Sequence, residues 1–409
     1  MRILWFSVTP SLFNPHTNSH NGGGWIASLE QLVRNDPSVQ LGIAFNFEDD
    51  GFRHERDGVA YYPIPSIKMS KFRRLLAGGD NSEARMEQCN RIIRDFKPDL
   101  IQIFGSENDF GLICDRTDIP VVIHIQGSMP PYHNALFPVG MNTFDFYSKR
   151  GLDWHNRLMG VRSEQSFRKR AEREIGIMKS CRYFMGRTEW DKALVHLFNP
   201  QAKYFHCNEA LRDSFIQNGA AWKGENGPKF RIVSVISRPW YKGVDLILKT
   251  ANLLKRHTDW DYEWNVYGVN DIRFFESKYG IKAADVNVRI NGTVNKNDLI
   301  RILSSASCYV HPSYIDNSPN SVCEAQYIGI PVLATYVGGI PSLVEHGKTG
   351  MLFPANDPYT LVSLLDRIKG DRDLAEALSR NEREASRMRH DPETIRKQLL
   401  SIYNQILAQ

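Results

Sequence analysis

Short apolar segments alternate with longer amphipathic ones along almost the whole chain. This alternation predicts parallel β-sheets that are covered by helices on both faces. Strand candidates in the first half are residues 3–8, 41–46, 100–104, 121–125 and 183–185. Strand candidates in the second half are residues 230–235, 262–267, 288–291, 308–311 and 331–335. Apolar residues recur at helical spacing in residues 25–34, 83–96, 243–257 and 296–305.

A polar stretch that contains Gly219, Gly224 and Gly227 separates the two sets of elements. We therefore predict an α/β protein of two doubly wound, Rossmann-like domains that face each other across a cleft. Ligands of such sheets bind at the carboxyl ends of the strands. The predicted parts are an N-terminal domain (1–212), a linker (213–229), a C-terminal domain (230–390) and a final helix that crosses back to the first domain (391–409).

Composition excludes several other classes of protein. The chain has 409 residues, of which 42% are hydrophobic and 24% charged, so it can bury the cores of two domains and is not disordered. The net charge of +5 is too small for its length to predict a nucleic-acid-binding protein. The six cysteines show no zinc or disulfide spacing. No signal peptide or membrane-spanning segment is recognised, so we expect a cytoplasmic protein.

The segment 308–324 gives the strongest indication of a binding site. A strand ends near His311, and Ser318-Pro319 has the pattern of an N-cap followed by proline in the first turn of a helix. The amides of that turn would form an anion site. Asp316 and Glu324 could both accept hydrogen bonds from one ligand. The alternative is that Asp316 only forms a turn and Glu324 is a surface charge.

Two further loops could hold a phosphorylated ligand. Arg238 and Lys242 follow the strand 230–235 and would suit a diphosphate, although such a pair can also be two solvated charges. The glycines at 22–24 precede the first helix and let the backbone approach a ligand closely, although a flexible turn has the same composition.

Taken together, these loops resemble the family 4 retaining glycosyltransferases of GT-B fold. Asp316 and Glu324 keep the family's separation of seven intervening residues, and the Arg238-x-x-x-Lys242-Gly loop also matches. Gly338-Gly339 and the segment 345–350, Glu-His-Gly-Lys-Thr-Gly, continue the family pattern. The resemblance is closest over residues 230–360.

The resemblance implies roles for individual residues. Glu324 would hold the ribose hydroxyls of a nucleotide, and Asp316 would hold the donor sugar together with the loop that follows it. Arg238 and Lys242 would bind the diphosphate and stabilise the charge that develops on it. Val294, in the segment 291–294, would border the base. The remaining nucleotide-sugar-binding residues would be Gly23, Gly24, Asn317, Ser318, Pro319, Asn320 and Ser321.

Several positions depart from the family pattern or bear on the mechanism. The first acidic residue is Asp316 instead of glutamate, and Gln126 stands where the family often has histidine. We assign catalytic roles to Arg238, Lys242, Asp316 and Gln126, and we expect His124 to be structural. The Asp-x-Asp at 259–261 is interpreted as a chance match, so we predict no metal and no other cofactor.

The predicted function is retaining transfer of a sugar from a nucleotide-diphosphate sugar to a hydroxyl of a saccharide or lipid-linked saccharide. A UDP-sugar is favoured over a GDP-sugar, and bacterial surface polysaccharide or glycolipid synthesis is the expected setting. Aromatic and basic residues in 129–179 leave open peripheral contact with the inner face of the plasma membrane. The alternatives are a degenerate nucleotide-sugar-binding protein, or a phosphorylase or epimerase on the same fold.

Overall fold

The structure of the chain is a computed structural model that describes residues 1–13, 24–49, 51–67, 82–148, 154–224, 229–237 and 240–409. The chain forms two compact units. Unit 1 comprises Met1–Pro130, Lys169–Ala210 and Asp391–Gln409, and unit 2 comprises Pro131–Arg168 and Leu211–His390. Residues 131–148 and 158–168, which the sequence assigns to the N-terminal domain, thus belong to unit 2.

Unit 1 is built on an eight-stranded sheet with the order β3-β4-β2-β1-β5-β6-β7-β8. All pairs are parallel except β3 with β4. Its strands are β1 (Arg2–Ser7), β2 (Gln40–Asn46), β3 (His54–Arg56), β4 (Val59–Ile64), β5 (Leu100–Phe104), β6 (Val121–His124), β7 (Tyr183–Gly186) and β8 (Lys203–His206). Its helices are α1 (Gly24–Val33), α2 (Ser82–Phe96), α6 (Glu189–Phe198) and α14 (Pro392–Leu407). Between β6 and β7 lie α3 (Met129–Asn134), α4 (Thr143–Ser148) and α5 (Trp154–Ser180).

The final helix α14 completes the core of unit 1. Ile395, Leu399, Ile402 and Ile406 recur at helical spacing and are buried in the same cluster as residues of β1 and α1. Tyr403 from this helix accepts a hydrogen bond from Trp5 Nε1 at 3.0 Å in the interior. The face of α14 that carries these residues is therefore an integral part of unit 1.

Unit 2 contains a six-stranded, entirely parallel sheet with the order β11-β10-β9-β12-β13-β14. Its strands are β9 (Phe230–Val235), β10 (Tyr262–Tyr267), β11 (Val288–Ile290), β12 (Cys308–His311), β13 (Val332–Thr335) and β14 (Met351–Phe353). Its further helices are α7 (Asp213–Asn218), α8 (Val244–His257), α9 (Arg273–Tyr279), α10 (Lys296–Ser305), α11 (Asn320–Ile328), α12 (Pro358–Gly370) and α13 (Arg372–Arg389).

The segment 131–148 is held on unit 2 by polar and aromatic contacts. Trp240 Nε1 donates a hydrogen bond to the carbonyl of Leu136, and the Trp240 ring lies 5.3 Å from that of Phe146. Lys278 Nζ lies 2.8 and 2.9 Å from the two carboxylate oxygens of Asp145. These contacts place the segment against the loop that follows β9 and against helix α9.

The predicted alternation of strands and helices is confirmed. The strands predicted at 230–235, 262–267 and 308–311 coincide with β9, β10 and β12. The structure adds four short strands that the sequence did not indicate, namely β3, β4, β8 and β14. Within the ranges that the structure describes, no helix has the length and apolar character needed to cross a bilayer.

Candidate active site

The loop between β12 and α11 places Asp316 in the interior of unit 2. The residue is only 5% exposed, and its carboxylate lies near Lys242, which follows the neighbouring strand β9. Because β9 and β12 are parallel neighbours, their carboxyl ends lie at the same edge of the sheet. The acidic residue and the lysine predicted from separate loops are therefore brought together.

Asp316 is the centre of a hydrogen-bonded cluster. Lys242 Nζ forms an ion pair with Oδ2, and His311 Nε2 lies 2.8 Å from the same oxygen. Tyr132 donates to Oδ1 at 3.4 Å, and Ser313 Oγ lies 2.9 Å from His311 Nε2. An ionised carboxylate only accepts, so His311 carries its proton on Nε2 and donates it to Asp316.

The protonation states in this cluster follow from burial and charge. Burial raises the pKa of Asp316, but the Lys242 ammonium and the hydrogen bond from His311 outweigh burial and hold that pKa well below the usual range of a carboxyl. Burial lowers the pKa of His311 below its ordinary value, and the Asp316 carboxylate offsets part of this effect. At neutral pH the cluster thus contains a carboxylate, an ammonium and a neutral imidazole.

Two glycines allow the loops of the cluster to approach closely. Gly243 has φ +76°, and a Cβ there would lie 2.0 Å from the carbonyl oxygen of Pro312. Gly338 has φ +52°, and a Cβ there would lie 1.9 Å from the carbonyl oxygen of Asp316, which accepts a hydrogen bond from Gly339 N at 3.0 Å. The Lys-Gly and Gly-Gly motifs of the sequence therefore have a steric reason at this site.

The start of helix α11 differs from the sequence prediction. Ser318 does not cap the helix and Pro319 is not its first residue. The helix begins at Asn320, and Pro319 has ψ 118° and accepts hydrogen bonds from Val322 N and Cys323 N, so Pro319 itself is the N-cap. The prediction was wrong by one residue because the extended backbone of Pro319 cannot be part of the helix. Of the other predicted loop residues, Asn317 and Ser318 are buried, whereas Asn320 and Ser321 are partly exposed.

Glu324 lies in the second turn of α11 and is only 3% exposed, which rules out its interpretation as a surface charge. Arg212 holds it with two parallel hydrogen bonds, Nε to Oε1 and Nη2 to Oε2, both 2.7 Å long. The Arg212 guanidinium also lies over the ring of Phe215, 5.0 Å from its centroid. Glu324 and Asp316 therefore have different cationic partners.

The other predicted site residues lie in several places. Val294 is in the loop after β11 and packs against the hydrophobic cluster that underlies α11. Gly24 is the first residue of α1, and Gln126 follows β6 and is partly buried; both belong to unit 1. Gly23 and Arg238 lie outside the described residues, so their predicted roles stay predictions.

His124 is fully buried, as expected for a structural residue. Its ring lies 5.9 Å from that of Phe104 and 5.1 Å from that of Trp25. Burial holds the pKa of His124 well below its ordinary value. The side chain is therefore neutral at physiological pH.

Sequence reasoning missed three residues of the site. The sequence indicates His311 only as the end of a strand, and it singles out neither Arg212 nor Tyr132. The signal for His311 was a polar residue at the carboxyl end of an apolar strand. Arg212 and Tyr132 had none, since they lie 112 and 184 positions from their partners.

Comparison with known proteins shows which family the region around this site is similar to. Residues 219–385 match the family described as glycosyl transferases group 1. The matched region includes Asp316 and Glu324, the two residues whose motifs resemble this family in the sequence.

Among curated proteins, the chain is 28% identical over 153 residues to the amylovoran biosynthesis glycosyltransferase AmsK of Erwinia amylovora. That match covers 35% of this chain and 37% of AmsK, so the chain spans little more than a third of the length of this relative.

Among solved structures, sucrose-phosphate synthase from Thermosynechococcus elongatus is similar with a TM-score of 0.71 and 16% identity, over 100% of this chain and 99% of that one. HepE from Anabaena, solved with UDP-glucose, has a TM-score of 0.64 and 12% identity, over 99% of this chain and 100% of that one. At these identities the similarity concerns the fold alone. The predicted GT-B fold is confirmed.

Proposed function

We propose that this protein is a retaining glycosyltransferase that moves a sugar from a nucleotide-diphosphate sugar to a hydroxyl of a saccharide or a lipid-linked saccharide. The observation that supports the proposal best is the buried Lys242–Asp316–His311 cluster at the carboxyl ends of two neighbouring parallel strands. A buried cation beside a buried hydrogen-bond acceptor suits a ligand that joins a diphosphate to a polyhydroxylated ring.

In this proposal each residue of the cluster has one task. Lys242, with Arg238, binds the diphosphate and stabilises the negative charge that grows on it as the sugar leaves. Asp316 accepts hydrogen bonds from hydroxyls of the sugar. His311 holds Asp316 in place through the 2.8 Å hydrogen bond from its Nε2. When the donor binds, its phosphates would replace Asp316 as the partner of Lys242.

We further propose that the donor is a UDP-sugar and that binding needs no metal. The HepE structure contains UDP-glucose, which favours UDP over GDP. Lys242 and Arg238 would supply the positive charge that a divalent ion supplies elsewhere. The leaving phosphate would serve as the base for the attacking hydroxyl, and a catalytic role for Gln126 is also part of this proposal.

For the acceptor, surface polysaccharide or glycolipid synthesis remains the proposed setting, and the similarity to AmsK, which is named for amylovoran biosynthesis, supports a biosynthetic role. A cytoplasmic location, with contact to the inner face of the plasma membrane, is likewise a proposal. Co-sedimentation with anionic vesicles at low and high salt tests the membrane contact, and no binding at either salt would contradict it.

Calorimetric titration with UDP, GDP and ADP, each with EDTA, tests the donor site. We expect one nucleotide to bind in EDTA and to bind at least tenfold more weakly to Glu324→Ala, because a buried hydrogen-bonded carboxylate is lost. Binding only with Mg²⁺ would contradict metal independence, and no binding at all would contradict the proposal. Phosphate acting as acceptor, or epimerised donor without acceptor, would instead indicate a phosphorylase or an epimerase.

A further inference from the structure

The paired contact between Arg212 and Glu324 fixes the orientation of a carboxylate that is almost fully buried. The two N–H···O bonds are both 2.7 Å long, and the side chains are 19% and 4% exposed. A planar guanidinium that donates to both oxygens at once permits one orientation of the carboxylate plane. A lysine in the same place would supply charge without that orientation.

Arg212 is itself held in place. Its guanidinium lies over the ring of Phe215 at 5.0 Å, and Phe215 is fully buried in the cluster that also contains Val322 and Cys323 of helix α11. Arginine stays charged at every physiological pH, so Glu324 keeps a permanent cationic partner. The pair is thus a preorganised carboxylate at a site of the fold where a ligand is expected.

A carboxylate held from one side by arginine can still accept hydrogen bonds from a ligand, because its two oxygens offer about four acceptor positions and the guanidinium uses two of them. The outer acceptor positions of the two oxygens diverge, so a hydroxyl of the ribose diol would donate to one oxygen from its outer side. Without Arg212, Glu324 could rotate, and the alignment of that oxygen with the ribose hydroxyl would be lost even though the carboxylate remained.

We propose that Arg212 is a positioning residue that sets Glu324 for the ribose diol and so determines how strongly the site prefers ribonucleotides to 2′-deoxyribonucleotides. The inference rests on the proposed function, since it requires a nucleotide at Glu324. It differs from a purely structural role, in which Arg212 would only neutralise a buried charge and stabilise the segment that leads into α7.

The test measures the dissociation constants of two ligands. The first is whichever of UDP, GDP and ADP binds most tightly, and the second is the 2′-deoxy form of that nucleotide. The proteins are wild type, Arg212→Gln, Arg212→Lys and the control Arg231→Gln. Arg231 forms an ion pair with Glu263 at 3.3 Å in the same unit, away from Glu324. Thermal unfolding of each protein establishes that it is folded at the temperature of the titration.

We expect wild type and Arg231→Gln to prefer the ribonucleotide about tenfold, the effect of one hydrogen bond to a charged group. Arg212→Gln should reduce the preference to about twofold or less. The preference of Arg212→Lys should lie between those of wild type and Arg212→Gln. Adding Glu324→Gln to Arg212→Gln should change the ratio little further, because both act on one interaction.

An unchanged ratio in Arg212→Gln, even with weaker binding of both nucleotides, would overturn the inference, since only a structural role predicts it. Equal binding of the two nucleotides to wild type would also overturn it while leaving the proposed function intact. No nucleotide binding by wild type would overturn both. If Arg212→Gln is unfolded, the ratio of the two dissociation constants for Arg212→Lys tests the inference instead. This variant keeps the positive charge but removes the paired hydrogen bonds, so an unchanged ratio would overturn the inference.

Discussion

Lys242 and Asp316 form a buried ion pair although they lie 74 positions apart in the sequence. Each follows a strand of the same parallel sheet, and each is the residue expected to contact a different part of a nucleotide-sugar. The pair therefore joins the phosphate-binding and sugar-binding parts of the proposed donor site.

The first prediction concerns Lys242→Ala. Loss of the ammonium should weaken UDP binding about 10- to 100-fold and UMP binding much less, because the second phosphate loses its charged partner. Lys249→Ala is the matched control, since Lys249 pairs with Asp245 in the same unit. Calorimetry with both nucleotides measures the effect, and equal weakening of UDP and UMP would contradict the assignment of Lys242.

The second prediction concerns pH and His311. Burial lowers the pKa of His311 in the folded protein, while the unfolded chain binds a proton near pH 6.5. The unfolded state then binds more protons as pH falls below about 6.5, so unfolding becomes easier by at most about 1.4 kcal/mol per pH unit.

His311→Gln should abolish this part of the pH dependence, whereas His257→Gln, at the exposed end of α8, should keep it. Urea unfolding between pH 7.5 and 5 measures it. Equal slopes for wild type and His311→Gln would show that His311 titrates alike in both states.

The third prediction concerns Gly338→Ala. Gly338 has a positive φ, and an added Cβ would lie 1.9 Å from the carbonyl oxygen of Asp316. We therefore expect the free energy of unfolding to fall by more than about 2 kcal/mol. We also expect the variant to lose nucleotide-sugar binding. Gly347→Ala is the control, because Gly347 has φ +77° but open space around its Cβ position. Similar losses in both variants would mean that backbone strain alone matters.

The fourth prediction concerns Glu174 in unit 1. Burial, followed by the negative charge of Glu107, raises the pKa of Glu174 to about 7. A carboxyl whose pKa is raised on folding stabilises the folded state at pH values below its ordinary pKa, near 4.5. This contribution is lost as the pH rises through about 7. Unit 1 should therefore become less stable over that range.

Glu174→Gln, which cannot ionise, should remove that loss and be more stable than wild type at pH 8. The exposed Glu172→Gln serves as control. Thermal unfolding at pH 5, 6.5 and 8 provides the comparison, and parallel curves for wild type and Glu174→Gln would contradict the prediction.

The elements that could be predicted from the sequence are those whose pattern lies in a few neighbouring residues. The strands β9 and β10 were predictable because their apolar residues recur over six positions, in strict alternation with less buried residues in β10. β14 was not, since a three-residue strand has too few residues to show a period. The start of α11 was misplaced by one residue because proline usually occupies the first helical position, whereas Pro319 has an extended backbone and is the N-cap.

The site itself could be predicted only in part. Asp316, Glu324 and Lys242 belong to short motifs with fixed spacing, so the sequence reveals them. The hydrogen bond from Arg212 to Glu324 joins residues that are distant in the chain, and no local pattern records it. This contact can be recognised only in the folded structure.

The packing of α14 has a consequence for synthesis. Unit 1 is assembled from three separate stretches of chain, and the last of them, Asp391–Gln409, supplies Ile395, Leu399, Ile402 and Tyr403 to its interior. A ribosome makes these residues only after the whole of unit 2. Unit 2 can thus close its core first, while the nascent unit 1 keeps an apolar surface uncovered until translation of this helix is finished.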